Sequence, residues 1–230
     1  MSSITLEALT SAIDQTLLRP VDGLAFGTSW LERNAEMGFA ALCVPPFLVP
    51  AAARILSGSA TQVCSVCAFP LGYALQATKA EEARQLVLAG ATEVDVVINL
   101  GALIEGDDDY VLTDLRSVVE AVASASGDSA IVKVILETGY LTAEQIVRGS
   151  RLTVEAGAHF VKTSTGFGPR GASVDDVRTM REAVGEHVGV KASGGIRDLE
   201  TALEMLEAGA NRLGTSSGDA IVAAFRERLG

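Results

Sequence analysis

Short, nearly continuous apolar runs alternate along the chain with longer stretches of helical period. The runs fall at residues 13–17, 40–44, 62–67, 93–98, 131–136, 159–163, 189–192 and 212–214, the first being the weakest. Helical spacing of apolar positions fills residues 78–88, 114–125, 142–155, 173–184 and 198–207. A phrase recurs at the junctions: Leu88-Ala89-Gly90-Ala91, Glu155-Ala156-Gly157-Ala158, Glu207-Ala208-Gly209-Ala210 and, more loosely, Glu36-Met37-Gly38-Phe39. Each reads as a helix closed by a glycine, followed by a tight turn into a buried strand. Thr78 with Glu81 has capping-box spacing. Gly106-Asp107-Asp108-Asp109 reads as a loop and lacks the ligand series of a calcium-binding hand. Apolar strands alternating with helices predict a parallel sheet covered on its faces. Eight such units in 230 residues fit an α/β fold of the (β/α)8, or TIM-barrel, type, with an open doubly wound sheet as the runner-up. No linker or low-complexity tract interrupts the chain, so residues 1–230 read as a single domain.

Composition narrows the partners. Apolar residues make up 48% of the chain, enough for a large core, but no run of about 18 suggests a membrane span. The opening Met1-Ser2-Ser3-Ile4-Thr5-Leu6-Glu7 has no basic segment and no long apolar segment of a leader. A net charge of −11 disfavours nucleic acid and anionic membranes. Cys43, Cys64 and Cys67 all lie in strand-like runs, and an odd number of thiols suggests a reducing, cytoplasmic setting. Cys64 and Cys67, three apart on a strand, point to opposite faces. With no second cysteine pair and only two distant histidines, the chain is expected to bind no metal.

The lysines carry the chemistry. Of the four, Lys133, Lys162 and Lys191 sit inside apolar, β-branched runs, and only Lys79 lies in what reads as a solvated helix. Lysine is rarely buried without a reason. Burial disfavours its charged form, and a neutral amine attacks carbonyls. Lysines snorkelling from strand ends are the bland alternative. In a barrel the site lies at the C-terminal strand ends. The polar residues there include Asp14, Thr16, Cys43, Asp95, Asn99, Lys133, Glu137, Lys162, Ser164, Lys191 and Ser193. Period-2 alternation lets Asp95, Lys162 and Lys191 all point inward, a proton-transfer constellation; a purely structural pair of Asp95 with Lys133 is the alternative. The loops Thr163-Ser164-Thr165-Gly166-Phe167-Gly168, Ala192-Ser193-Gly194-Gly195 and Gly214-Thr215-Ser216-Ser217-Gly218 are small and hydroxylic, suited to holding a phosphate with N–H groups and hydroxyls. On these grounds alone Lys162 and Lys191 are nearly equal candidates for the nucleophile.

Five segments taken in order resemble the deoxyribose-phosphate aldolase family. They are Ile13-Asp14-Gln15-Thr16-Leu17-Leu18, Val94-Asp95-Val96-Val97-Ile98-Asn99, Lys133-Val134-Ile135-Leu136-Glu137-Thr138, Val161-Lys162-Thr163-Ser164-Thr165-Gly166 and Lys191-Ala192-Ser193-Gly194-Gly195-Ile196. The resemblance implies a metal-free, cofactor-independent class I aldolase on a TIM barrel. It implies reversible cleavage of 2-deoxy-D-ribose 5-phosphate to D-glyceraldehyde 3-phosphate and acetaldehyde. It assigns the Schiff base to Lys162, a second amine to Lys191, acid–base work to Asp95, and phosphate binding to Thr165, Gly166, Gly194, Gly195, Ser216 and Ser217. Asp14, Thr16, Cys43 and Lys133 are further pocket candidates. The expected partners are the phosphorylated sugar and acetaldehyde, with self-association into a homo-oligomer left open. The chain departs from the family pattern at Gln15, where histidine is frequent, at Pro45 in Cys43-Val44-Pro45-Pro46, and at its end, Arg228-Leu229-Gly230, which lacks a terminal tyrosine. Another Schiff-base barrel lyase, or a sugar-phosphate binding barrel whose lysines only pair with carboxylates, are the competing readings.

Overall fold

A computed structural model describes residues 4–229; Met1-Ser2-Ser3, on which part of the leader reading rests, and Gly230 lie outside the described residues. Eight parallel strands close into a barrel in sequence order. They are β1 (Ile13–Thr16), β2 (Ala41–Val44), β3 (Gln62–Cys67), β4 (Glu93–Val97), β5 (Ile131–Ile135), β6 (Phe160–Lys162), β7 (Gly189–Ser193) and β8 (Arg212–Thr215). The runner-up open sheet is excluded by the seam: Ile13 lies beside Leu213 and Gln15 beside Thr215. The helices are α1 (Leu6–Thr10), α2 (Leu24–Asn34), α3 (Val49–Ile55), α4 (Gln76–Leu88), α5 (Leu100–Glu105), α6 (Asp108–Ser126), α7 (Ala143–Glu155), α8 (Val174–Val184), α9 (Leu199–Glu207) and α10 (Gly218–Leu229).

The recurring glycine phrase does what its composition suggests. Gly38, Gly90, Gly157 and Gly209 have φ of +76°, +110°, +81° and +108°, a region costly for any side chain. At three of them the next residue's N–H reaches back across the turn, Ala91 to Leu86, Ala158 to Thr153 and Ala210 to Met205, satisfying helix-end carbonyls before the strand begins. Outward-facing strand residues, among them Val94, Val96, Val132, Val134, Val161, Val190 and Leu213, are buried under the helices. Each such side chain contributes about 1.5–3 kcal/mol relative to exposure. This outer shell is apolar and continuous; the chemistry is left to the inner face.

Four local expectations change. α4 begins at Gln76, and the Thr78 N–H already bonds to the Leu75 carbonyl, so Thr78 lies within the first turn and caps nothing. The box forms instead at α7, between Thr142 and Gln145. The acidic run is not a loop: Gly106 closes α5, Asp107 accepts from the Tyr110 N–H at 3.1 Å, and Asp108 and Asp109 sit in the first turn of α6, where the helix dipole favours them. Asn99 is not at the site either, since its side chain caps α5 by accepting from the Ala102 N–H. Most consequential, Lys79 is not solvated. It is fully buried between α4 and α6, with its amine 2.6 Å from Asp114 and 3.0 Å from the Val97 carbonyl.

Candidate active site

Alternation along the strands sends Asp14 and Thr16 of β1, Glu93 and Asp95 of β4, Lys133 of β5, Lys162 of β6, Lys191 of β7 and Arg212 of β8 into the barrel. Their charged ends meet. The Asp95 Oδ2 accepts from Lys162 Nζ at 2.8 Å and from Lys191 Nζ at 2.7 Å, and Oδ1 accepts from Lys133 Nζ at 2.8 Å. Lys191 also reaches Asp14 at 2.5 Å, and Lys133 reaches Glu93 at 2.6 Å. Arg212 closes the floor, bridging Asp14 at 2.5 Å and Glu93 at 2.9 Å. The β2–β3 side of the interior is different in kind: Ala41, Cys43, Cys64 and Val66 form a small apolar cluster with Leu18 and Phe69.

These contacts set the ionisation of the layer. Burial would push the Asp95 carboxyl up, but the amines of Lys133, Lys162 and Lys191 outweigh it and hold it well below the usual carboxylate range. Asp14 is lowered too: burial opposes, and Lys191, Lys133 and Arg212 prevail. Burial alone does not decide the ionisation of Lys133 and Lys191. Burial does favour the neutral form of each, but Asp95, Cys64, Glu93 and Asp14 around Lys133, and Asp14 and Asp95 around Lys191, raise both above the ordinary lysine value. The bland alternative for Asp95 is therefore half right: the Lys133 pair exists, but as one arm of a three-amine cluster.

A cavity of about 620 Å³ opens above this layer at the C-terminal strand ends. Of the predicted residues, Thr16, Lys162, Thr165, Gly166, Gly194, Gly195 and Ser216 line it. Asp95, Lys191, Lys133, Asp14 and Cys43 lie beneath, fully buried, so Lys162 is the member of the amine cluster that meets the cavity. Ser217 is not among the lining residues, and its N–H is taken by the Thr215 hydroxyl at 2.9 Å. The backbone N–H groups of Gly166, Gly194, Gly195 and Ser216 have no hydrogen-bond partner among the described residues, although all four line the cavity. Gly166, Gly194 and Gly195 have φ of +89°, +84° and +81°, and added Cβ atoms on Gly166 and Gly195 would meet nothing within 4 Å. Small residues thus leave donors open to a ligand.

Sequence reasoning missed Glu93 and Arg212, which look like ordinary strand-start charges. The period-2 rule could have found both, since each lies two residues before an inward position, Asp95 and Gly214. It also missed Arg19, Phe26, Trp30, Phe167 and Arg197 of the cavity wall, which come from loops and from α2. The departure at Gln15 is harmless to the site: its side chain faces outward, accepting from the Gly218 N–H at 3.0 Å and donating to Asn34 at 3.4 Å. Cys43, Cys64 and Asp95 place potential metal-ligand atoms within 4.8 Å of one another. Lys133 and Lys191, both held in their charged form by the surrounding carboxylates, already crowd Asp95, and their charge opposes a cation there.

An eight-stranded parallel barrel with a lysine at the cavity floor and a carboxylate shared among amines defines a barrel enzyme of carbonyl chemistry. Residues 13–224 match the family described as DeoC/LacD family aldolase, and the chain belongs to that family. It is 51% identical over 214 residues to the deoxyribose-phosphate aldolase of Thermoanaerobacter sp. (strain X514), covering 93% of this chain and 95% of that one. It is 47% identical over 220 residues to that of Caldanaerobacter subterraneus subsp. tengcongensis, covering 96% and 94%. Among solved structures, the deoxyribose phosphate aldolase from Aeropyrum pernix, described as tetrameric, superposes with a TM-score of 0.89 at 32% identity, covering 97% of this chain and 93% of that one.

Proposed function

We propose that this chain cleaves 2-deoxy-D-ribose 5-phosphate reversibly into D-glyceraldehyde 3-phosphate and acetaldehyde through a Schiff base on Lys162. The observation that carries the reading is the placement of Lys162: it lines the cavity, and its Nζ is 2.8 Å from an Asp95 carboxylate that Lys191 also holds. Access supports the choice of Lys162 over Lys191: Lys162 lines the cavity, whereas Lys191 is fully buried beneath it. The lone pair of the Lys162 amine attacks the aldehyde carbon to give a carbinolamine, which loses water to become an iminium. Loss of the proton from the C3 hydroxyl breaks the C2–C3 bond; C3 becomes the aldehyde carbon of glyceraldehyde 3-phosphate, which leaves, and the iminium takes up the electron pair as an enamine. Protonation of the enamine carbon and hydrolysis release acetaldehyde and restore the amine. Asp95, in contact with both Lys162 and Lys191, is placed to move protons in forming and breaking the carbinolamine.

The phosphate is assigned to Gly166, Gly194, Gly195 and Ser216, whose N–H groups have no partner among the described residues, with Thr165 shaping the loop. Arg19 and Arg197 stand on the same wall and add local positive charge despite the net −11. The names of the relatives at 51% and 47% identity favour this substrate over another phosphorylated sugar. A cytoplasmic setting and a homo-oligomer belong to the same proposal. Three free, buried thiols fit a reducing compartment, no helix among the described residues is long and apolar enough to cross a membrane, and the Aeropyrum pernix relative is tetrameric. Borohydride reduction in the presence of substrate tests the chemistry. The expected result is a stable adduct whose mass maps to the peptide containing Lys162; an adduct on Lys191, or none, overturns the assignment.

A further inference from the structure

Glu137 is a buried acid that the reaction above does not use. It follows β5, is 2% exposed, and sits at φ +53°, a backbone conformation that non-glycine residues adopt at a cost. Among the described residues no lysine or arginine pairs with it. Its carboxylate instead accepts from one residue of the neighbouring loop: the Thr165 N–H lies 3.3 Å from each oxygen, and the Thr165 hydroxyl donates to Oε2. The same hydroxyl accepts from the Phe167 N–H at 3.0 Å, so donors are aligned from Phe167 through Thr165 to Glu137. Gly168 folds against the carboxylate so closely that a Cβ there would lie 2.7 Å from Oε1. The loop that follows Lys162 is therefore wrapped around this one acid. Its far end is pinned separately: Arg170 pairs with Asp176 and donates to the Thr138 carbonyl at 3.1 Å, and the Ala172 N–H bonds to the Ser193 carbonyl at 3.0 Å.

We propose that Glu137 is a positioning residue for phosphate recognition: it fixes the Thr165–Gly168 turn so that the Gly166 N–H stays beside Gly194 and Gly195 as one anion cradle. This rests on the substrate reading given above. The geometry explains why an acid stands near an anion-binding loop. Both of its oxygens are turned to Thr165, and burying an acid and a strained backbone is costly unless the held loop returns something. Replacing Glu137 by alanine removes both acceptors; glutamine keeps one carbonyl oxygen that can take both Thr165 donors.

The test compares the wild-type chain, Glu137→Ala and Glu137→Gln on 2-deoxyribose 5-phosphate and on unphosphorylated 2-deoxyribose. It adds borohydride trapping of acetaldehyde and calorimetric binding of inorganic phosphate. The expected result for Glu137→Ala is a KM for the phosphorylated sugar raised about ten- to a hundredfold, with phosphate binding weakened to match. Its turnover of unphosphorylated deoxyribose and its trapping at Lys162 should stay within roughly threefold of wild type, and Glu137→Gln should restore most of the loss. If Glu137→Ala does not fold, Thr165→Val removes the hydroxyl from the other side and should raise the same KM. An unchanged KM in whichever variant folds, equal losses on both sugars, or no rescue by glutamine overturns the proposal. Wild-type protein that fails to trap acetaldehyde but binds phosphate in a Glu137-dependent way would overturn the catalytic reading alone. Wild-type protein that does not bind phosphate would overturn the cradle, and the proposal with it.

Discussion

Lys79 and Lys162 are both lysines removed from water and set against an aspartate, yet they sit in opposite kinds of place. Lys79 lies between α4 and α6, paired with one carboxylate, Asp114, and one carbonyl, and is not part of the lining of the cavity at the strand ends. Lys162 lies inside the barrel, shares Asp95 with two other amines, and has one side on a cavity of about 620 Å³. The carboxyls register the difference. Asp114 is raised above its ordinary value, because burial there exceeds what Lys79 offsets. Asp95 is held well below, because three amines outweigh its burial. A buried lysine is thus no sign of chemistry in itself. What sets Lys162 apart from Lys79 is the set of basic side chains around a shared carboxylate, together with access to the cavity.

The comparison breaks most directly at Lys162. Lys162→Met keeps the length of the side chain and removes the amine. The expected loss in kcat is about 10⁴-fold or more, as for other covalent nucleophiles, with no borohydride adduct. Lys79→Met should leave kcat within about twofold wherever the variant is folded, because neither Lys79 nor Asp114 lines the cavity. A large kcat loss in folded Lys79→Met, with unaltered substrate KM, would show that the two clusters are coupled and that the distinction drawn between them is wrong.

The next effect is on stability and runs the other way. Removing Lys79 leaves Asp114 buried without a counter-charge, a loss of about 3–5 kcal/mol by the usual measure of broken buried pairs. Replacing both partners, as Lys79→Met with Asp114→Leu, should recover most of it, since an apolar pair of similar volume needs no compensation. Urea unfolding of the two single variants and the double variant gives the cycle. If Lys79→Met costs less than about 1 kcal/mol, the pair is not the buried contact described.

Most of the fold was legible because its strands are buried on both faces and its helices end at glycine. Ala41-Leu42-Cys43-Val44 or Val94-Asp95-Val96-Val97 can scarcely be read otherwise between helical stretches, and Gly90, Gly157 and Gly209 mark where each helix must turn. The amine cluster was legible for the same reason: a lysine two residues from inward neighbours on a barrel strand has nowhere else to point. Lys79 was misread because its immediate neighbours are polar, although the stripe was there. Lys79, Ala83 and Leu86 share one helical face, as Val111, Asp114, Leu115 and Val118 do on α6. Pairing those stripes needs a contact across 35 residues, which no local pattern supplies. The cavity wall was hidden more deeply, because Arg19, Phe167 and Arg197 are brought together only by closure of the barrel.

The smallest expected effect is in the pH dependence of stability, and it separates the two clusters by sign. Asp95 and Asp14 have lowered folded values, so their contribution is fully present above the unfolded carboxylate value of about 3.9 and is lost as pH falls through the folded values below it. Asp114 has a raised folded value, so its contribution is present below the unfolded value and is lost as pH rises through the folded one. In the wild-type chain the two trends meet near pH 4, one group altering the slope by at most about 1.4 kcal/mol per pH unit. Asp114→Asn removes only the second trend. Its urea-unfolding free energy should decline less than wild type's as pH rises above about 4, while the fall below that point stays parallel in both, because the barrel carboxylates are untouched. Curves that run parallel over the whole range would mean that Lys79 compensates the burial of Asp114 fully, and the two clusters would then differ in access alone and not in charge balance.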